Sequence, residues 1–180
     1  MNTGSYELHK EMERAIVFAS REFGKTPRNS KPALLHSIRV GLYLDKNGYS
    51  RNPVLGGLLH DVIEDTDATT LMVEEEFGRE VRSIVEALTR NEAINDRTGR
   101  AVECFERCRK AGPEALMVCA ADMLDNLPYY RPDGAWEGFS TYFIPSFEAF
   151  LKMAAQDIGK EIVYQELAAS FPVHVKKMTA

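Results

Sequence analysis

Four residues with chemically active side chains lie close together near position 60, inside an otherwise apolar stretch. His60 and Asp61 form a pair, and Glu64 and Asp65 follow within one helical turn. The apolar residues of 51–64 are typical of a buried helix, on which positions four apart share a face. Buried charge is costly unless it is paired, hydrogen-bonded or bound to metal. The four residues therefore indicate either a functional site or a polar network with core arginines.

Two further polar residues lie isolated on apolar segments. His36 falls in the leucine-rich segment 32–46, and Asp122 is the only charged residue in 116–124. Each has a structural interpretation, as a core histidine and as a carboxylate paired with a buried cation. Together with the pair at position 60, however, they supply two imidazoles and two carboxylates. Such a mixed set suits a divalent transition metal such as Mn²⁺, Fe²⁺ or Zn²⁺, provided that all four meet in the core of a bundle.

The periodicity of the chain predicts helices and no strand. Apolar residues recur at helical spacing over about 5–22, 32–46, 51–64, 70–77, 81–88, 101–110, 114–127 and 143–169. The polar residues 91–100 indicate a loop, and the residues after 169 indicate a tail. We predict an all-α, single-domain helical bundle over 1–180, with a core over about 10–130 and a C-terminal helical extension over about 140–170.

Composition limits the classes of partner. The 180 residues are 44% hydrophobic and 27% charged, as in an ordinary soluble domain. The net charge of −5 argues against a general binder of nucleic acid or of anionic membranes, although a small anionic substrate can still bind a local cationic pocket. Neither a signal-peptide pattern nor a long apolar run is present, so we predict a cytoplasmic protein that acts on a small molecule.

The order of the candidate residues resembles that of a known family. His36, the His60-Asp61 pair and Asp122 follow the H…HD…D pattern of the HD superfamily of metal-dependent phosphohydrolases. Residues 58–66, LLHDVIEDT, resemble the LLHDxxEDT signature of RelA/SpoT-type (p)ppGpp hydrolase domains. Further similar segments lie at 76–81, 88–90 and 121–127, the last resembling that family's ADRLHNM helix. The resemblance covers roughly residues 10–130 and implies a helical bundle of the HD type.

The resemblance also implies roles for individual residues. It implies four metal ligands: His36, His60, Asp61 and Asp122. It implies that Glu64 and Asp65 activate or orient the attacking water, and that Asn126 contacts the substrate. This agrees with the chemistry, because a metal acidifies water and polarises a phosphoryl oxygen while a nearby carboxylate accepts the proton. We predict Mn²⁺ as the cofactor, with another divalent transition metal as the alternative.

The residues around Asp122 depart from the family pattern. Cys119 stands where the family has a lysine, Met123 where it has an arginine, and Asp125 where it has a histidine. Near His36, Ala33 replaces a tyrosine of the family. Several contacts to a highly charged nucleotide are therefore missing or moved.

Compensating cations are present elsewhere in the chain. Lys25, Arg28 and Lys31 precede His36, and the alternative interpretation of this basic segment is a solvated loop. Because the guanidinium group can bind phosphate with two hydrogen bonds, we predict a substrate contact at Arg28, assisted by Lys25. We expect a smaller contribution from the segment 97–100, which carries two arginines.

Three functions remain open from the sequence. The leading one is metal-dependent hydrolysis of a nucleotide or related phosphate or pyrophosphate ester, most similar to (p)ppGpp 3′-pyrophosphohydrolase activity. The second is an HD nucleoside monophosphate phosphatase, and the third is a catalytically altered HD module that binds a nucleotide and regulates a partner. The presence of Glu64 and Asp65 favours an enzyme, whereas Cys119 and Met123 favour altered specificity.

Overall fold

The computed structural model describes residues 3–25, 32–130 and 138–179, and these residues form α-helices without any strand. The helices are α1 Thr3–Lys25, α2 Ala33–Lys46, α3 Arg51–Leu59, α4 Val62–Asp65, α5 Thr70–Phe77, α6 Arg79–Leu88, α7 Arg97–Ala111, α8 Pro113–Asn126, α9 Ile144–Ile158 and α10 Ile162–Thr179. The all-α prediction is thus confirmed for the described residues. None of the described helices is long and apolar enough to cross a membrane.

Two glycines allow α2 and α3 to pack very closely. A Cβ atom added at Gly57 would lie 3.2 Å from the Cα atom of Gly41, and one added at Gly41 would lie 2.4 Å from the Cγ atom of Leu58. Only glycine provides this space for the backbone of the neighbouring helix. The close crossing brings the helix that carries His36 against the chain that leads into His60.

The predicted helix over 51–64 is divided in the structure, so this prediction was wrong. α3 ends at Leu59 and α4 begins at Val62. Between them Asp61 has φ −90° and ψ −5°, in a sparsely allowed region where active-site residues are often found. Hydrophobic periodicity misses the break because the apolar pattern continues on both sides of it.

α8 lies at the centre of the bundle. Gly112, at φ +118°, ends α7, and Pro113 begins α8, as proline often does at the first position of a helix. α8 packs against α2, α3, α6, α7, α9 and α10. Its side chains from Ala115 to Met123 are therefore largely buried, and Asp122 emerges from an apolar helix in contact with most of the fold.

An aromatic cluster joins the C-terminal helices to α8. Phe143 is fully buried, stacks on Tyr130 at 4.3 Å between ring centroids, and contacts Phe171 edge to face at 5.7 Å. These contacts hold α10 helical as far as Thr179, so the predicted tail after 169 was wrong. Pro172 lies inside α10, where proline is disfavoured, so packing outweighs this local preference.

Candidate active site

Three predicted metal ligands from separate helical segments meet at one point. Ligand atoms of His36, His60 and Asp122 all lie within 4.8 Å of one another. The two imidazole Nε2 atoms are 3.2 Å apart, and Asp122 Oδ1 lies 2.8 Å from the Nε2 atom of His36 and 3.6 Å from that of His60. α2, the end of α3 and α8 each contribute one side chain to this cluster.

Asp61 brings the fourth predicted ligand to the same point. Its Oδ1 atom lies 3.3 Å from Nε2 of His60, and its Oδ2 atom lies 3.8 Å from Nε2 of His36. The cluster is well shielded, since His36 is 2% exposed and His60 is 3% exposed. The structure thus brings together all four side chains, and their assignment as metal ligands stays a prediction.

Contacts on the far side of each imidazole fix its orientation. Nδ1 of His60 lies 2.9 Å from the carbonyl oxygen of Gly57, and Nδ1 of His36 lies 2.7 Å from Oδ2 of Asp125. A carbonyl and a carboxylate accept hydrogen bonds, so both Nδ1 atoms are donors. A neutral ring that donates from Nδ1 carries its lone pair on Nε2, the atom that faces the cluster. Nε2 of His36 also lies 2.8 Å from the acceptor oxygen Oδ1 of Asp122, so a proton and a metal ion compete for this position.

The electrostatics of the cluster favour positive charge. Burial lowers the pKa of His36, but hydrogen bonds to Asp122 and Asp125 outweigh this and raise it. Burial likewise opposes the charged form of His60, yet the charge of Asp61 and hydrogen bonding to Asp122 raise its pKa well above the usual value. Two lone pairs and two carboxylates in a site that attracts a cation fit a divalent transition metal ion.

Asn126 supports the cluster from the next turn of α8. Its Nδ2 atom donates to Oδ1 of Asp122 at 2.6 Å, and its side chain also lines the adjoining cavity. The residue predicted to contact substrate is therefore placed both to orient a candidate ligand and to reach a molecule in that cavity.

A cavity of about 470 Å³ opens beside the cluster. His60, Asp61 and Asp122 form one end of it. The remaining walls combine three arginines, three tyrosines and apolar side chains: Arg90, Arg97, Arg100, Tyr129, Tyr130, Tyr142, Cys119, Met123 and Phe147. Its volume and mixed lining are typical of a site for a small molecule that has both apolar and anionic parts.

Glu64 lies in this cavity next to the candidate ligands. Its carboxylate pairs with the guanidinium of Arg90 at 3.1 Å and also accepts from the backbone N–H of Arg90 at 3.1 Å. Burial raises the pKa of Glu64 even though Arg90 opposes the shift, which suits a proton acceptor. Asp65, the other predicted catalytic carboxylate, is not among the described residues that line the cavity.

The two arginines of the 97–100 segment are held by a helix. The predicted loop over 91–100 was wrong at its end, because α7 begins at Arg97 and Asp96 caps it by accepting from the N–H of Gly99. Arg97 lies over the ring of Tyr142 at 4.4 Å. Arg100 donates to the Ile94 carbonyl at 2.9 Å and pairs with Glu92 at 2.6 Å.

The other predicted phosphate contacts, unlike these arginines, are not found among the described residues of the cavity wall. Lys25 pairs with Glu22 at 3.0 Å and is not among the described residues of the cavity wall. Arg28 and Lys31 lie outside the described residues. Cys119 and Met123 do line the cavity, so α8 contributes no cation at the two positions where the RelA/SpoT-type pattern has a lysine and an arginine.

The HD domain model matches residues 15–142, which is more than half of the chain. This chain belongs to the HD domain family. The HD…EDT residues, Asp122 and Asn126 all fall within the matched range, and the resemblance read from the sequence is confirmed.

Curated relatives of this HD domain protein carry names of (p)ppGpp metabolism. The guanosine-3′,5′-bis(diphosphate) 3′-pyrophosphohydrolase of Aquifex aeolicus is 32% identical over 127 residues, covering 68% of this chain and 18% of the relative. The enzyme of the same name from Borreliella burgdorferi is 30% identical over 176 residues, covering 86% and 26%. The chain thus spans about a quarter or less of the length of these relatives.

Solved structures support the same fold. A metazoan ortholog of SpoT that hydrolyses ppGpp superposes with a TM-score of 0.73 at 24% identity, covering 90% of this chain and 94% of that one. A protein of Listeria monocytogenes superposes with a TM-score of 0.62 at 26% identity, covering 78% and 99%. The HD bundle therefore extends over most of this chain.

Sequence reasoning missed two groups in the HD domain site. The first is the ion pair of Arg39 with Asp125, which lies behind His36. Arg39 follows His36 by three residues and Asp125 follows Asp122 by three, so helical spacing was the available signal. The second is the set of three tyrosines in the cavity wall, for which the sequence carries no comparable signal.

Proposed function

We propose that this chain is a divalent-metal-dependent phosphohydrolase that acts on a nucleotide or a related phosphate or pyrophosphate ester. The observation that carries the proposal is the meeting of His36, His60, Asp61 and Asp122 at the end of a cavity that also contains arginines. We assign these four residues as the metal ligands and Mn²⁺ as the metal. The mixed nitrogen and oxygen ligand set supports this choice without excluding Fe²⁺ or Zn²⁺.

The residues of the chain divide the remaining work. When bound, the metal supplies Lewis-acid polarisation of a phosphoryl oxygen and acidification of water. Glu64, with its raised pKa, accepts the proton of the attacking water at a carboxylate oxygen. Asn126 holds Asp122 in place, and Arg97 and Arg100 bind phosphate oxygens along the wall formed by α7.

We propose (p)ppGpp as the leading substrate, with cleavage of its 3′-pyrophosphate. The names of the two curated relatives support this class of substrate. The shape of the cavity supports it as well, because the arginines of α7 suit phosphate groups and the tyrosines suit a nucleobase. Both observations favour a small nucleotide as the substrate.

A different specificity has one specific observation in its favour. Cys119 and Met123 bring no positive charge to the part of α8 that lines the cavity, and these side chains are only 4% and 6% exposed. A nucleoside monophosphate needs fewer cations than a tetraphosphate does. An HD nucleoside monophosphate phosphatase is therefore the second candidate.

The deciding experiment compares kcat/KM for (p)ppGpp, GDP, GTP and nucleoside monophosphates with Mn²⁺ present, together with the phosphorus product released. We expect (p)ppGpp to be preferred and to release pyrophosphate. The Asp122→Asn variant provides the background rate, because it weakens a candidate ligand while preserving shape.

Two outcomes would reject the leading substrate. A tenfold or greater preference for a monophosphate, with release of orthophosphate, would favour the second candidate. Tight nucleotide binding without turnover by any substrate would favour a regulatory HD module.

A further inference from the structure

An ion pair lies directly behind the metal-facing imidazole of His36. Asp125 Oδ2 contacts Nδ1 of His36 at 2.7 Å. The same carboxylate receives two hydrogen bonds from Arg39, from Nε to Oδ1 at 2.7 Å and from Nη2 to Oδ2 at 2.6 Å. The three side chains thus form a continuous series from Arg39 through Asp125 to His36.

We propose that Asp125, clamped by Arg39, is a positioning residue that fixes His36 as a nitrogen ligand through Nε2. This inference rests on the proposed metal site. A neutral His36 ring that donates from Nδ1 to Asp125 is held with its Nε2 lone pair toward the ion, and a carboxylate partner also makes the imidazole a stronger ligand.

The two hydrogen bonds from Arg39 explain how it fixes the orientation of Asp125. Asp125 could turn away from His36 if only one of its oxygens were held. Arg39 donates to both oxygens, and Oδ2 also contacts Nδ1 of His36. Lysine could form only a single point contact here and would leave the carboxylate free to rotate.

The series also reaches the cavity wall. Nη2 of Arg39 donates to the hydroxyl of Tyr129 at 3.0 Å, and Tyr129 lines the cavity. The contact with Tyr129 therefore links the Arg39–Asp125 ion pair, which lies behind His36, to the cavity wall. It gives Arg39 a third fixed hydrogen bond and further restricts its position.

The test measures Mn²⁺ affinity by isothermal titration calorimetry on the chelator-treated chain of 180 residues. Loss of a hydrogen-bond partner behind a metal ligand commonly weakens binding by about 10–100-fold. We expect a change of that size for Asp125→Asn and a smaller one for Arg39→Ala. Arg39→Lys should recover only part of the affinity lost in Arg39→Ala.

A matched control is available on another pair of helices. Arg109 of α7 pairs with Asp157 of α9 at 3.0 Å, and neither residue is among the described residues that line the cavity. Asp157→Asn and Arg109→Ala also remove an Arg–Asp ion pair between helices. They should leave Mn²⁺ affinity unchanged. Comparison with them therefore distinguishes a general loss of stability from a specific loss of metal binding.

A second measurement requires no variant. Long-range ¹H–¹⁵N NMR of the Zn²⁺-loaded protein should show His36 protonated at Nδ1, with that proton shifted downfield by the carboxylate. A His36 ring protonated at Nε2 would overturn the proposal even if the Asp125 variants fail to fold.

The remaining outcomes are distinguishable. Parental protein that binds Mn²⁺, together with a folded Asp125→Asn variant of equal affinity, overturns the role of Asp125 and leaves the metal site intact. Parental protein that binds neither Mn²⁺ nor Zn²⁺ overturns the metal site and the role of Asp125 together.

Discussion

Two parts of the cavity lining, the candidate metal ligands and the neighbouring residues of α8, differ in how closely they match the family pattern. At the metal end, His60, Asp61 and Asp122 are present and their polar atoms converge with those of His36. Along the α8 wall, Cys119 and Met123 replace two cations of the RelA/SpoT pattern. Chemistry at a metal tolerates little change in its ligands, whereas recognition of the rest of a substrate can be moved to another wall.

We propose that the arginines of α7 take over that recognition. Arg97 and Arg100 lie in the first turn of α7, and the helix fixes both side chains on the cavity. Under this proposal, their positive charge replaces part of the positive charge that α8 lacks. We therefore expect substitutions beside the candidate metal ligands to affect kcat, and substitutions of the α7 arginines to affect KM.

Among these substitutions, we expect the largest effect at Glu64, beside the candidate metal ligands. Glu64→Gln removes the proton acceptor while keeping its shape, and should reduce kcat by roughly 10²–10⁴-fold. Metal content should remain near the parental value. Asp65→Asn is the comparison, and a smaller loss is expected because Asp65 is not among the described residues of the cavity wall. A fully active Glu64→Gln variant would remove Glu64 from the mechanism.

A smaller effect is expected on the α7 wall. Arg100→Ala should raise KM about tenfold with little change in kcat, near the low end of the ~1.5–3 kcal/mol typical of a hydrogen bond to a charged group. The effect is limited because Arg100 is already paired with Glu92, whose side chain is 71% exposed.

The matched variants compare the predicted phosphate contacts. Arg97→Ala should resemble Arg100→Ala, and Lys25→Ala should have little effect because Lys25 is not among the described residues that line the cavity. Arg28→Ala tests the sequence-based prediction at that position. If Arg97→Ala and Arg100→Ala leave KM unchanged while Lys25→Ala raises it, the assignment of phosphate recognition to the α7 wall is wrong.

The sequence was most informative where a polar residue interrupts an apolar helix. His36, the His60-Asp61 pair and Asp122 were identified in this way, because burial makes an isolated polar side chain conspicuous. The break at Asp61 was not identified, since hydrophobicity is the same on both sides of it. The clamp of Arg39 on Asp125 depends on how α2 and α8 are packed together, which local periodicity does not report.

The same limit applies to the cavity wall. Tyr142 and Phe147 come from the C-terminal part of the chain and reach the cavity only because the aromatic cluster packs against α8. The apolar spacing over 143–169 predicted the helix that carries the buried Phe147, but it could not assign the cavity that Phe147 borders.

Metal content is the most direct test of whether four residues hold one divalent metal ion: His36, His60, Asp61 and Asp122. Protein loaded with Mn²⁺ and freed of excess metal should contain one ion per chain by elemental analysis. Asp61→Ala should contain almost none, while the surface variant Asp157→Asn should match the parental protein. An Asp61→Ala variant that keeps as much Mn²⁺ as the parental protein, or a parental protein that binds no divalent metal, would contradict the account.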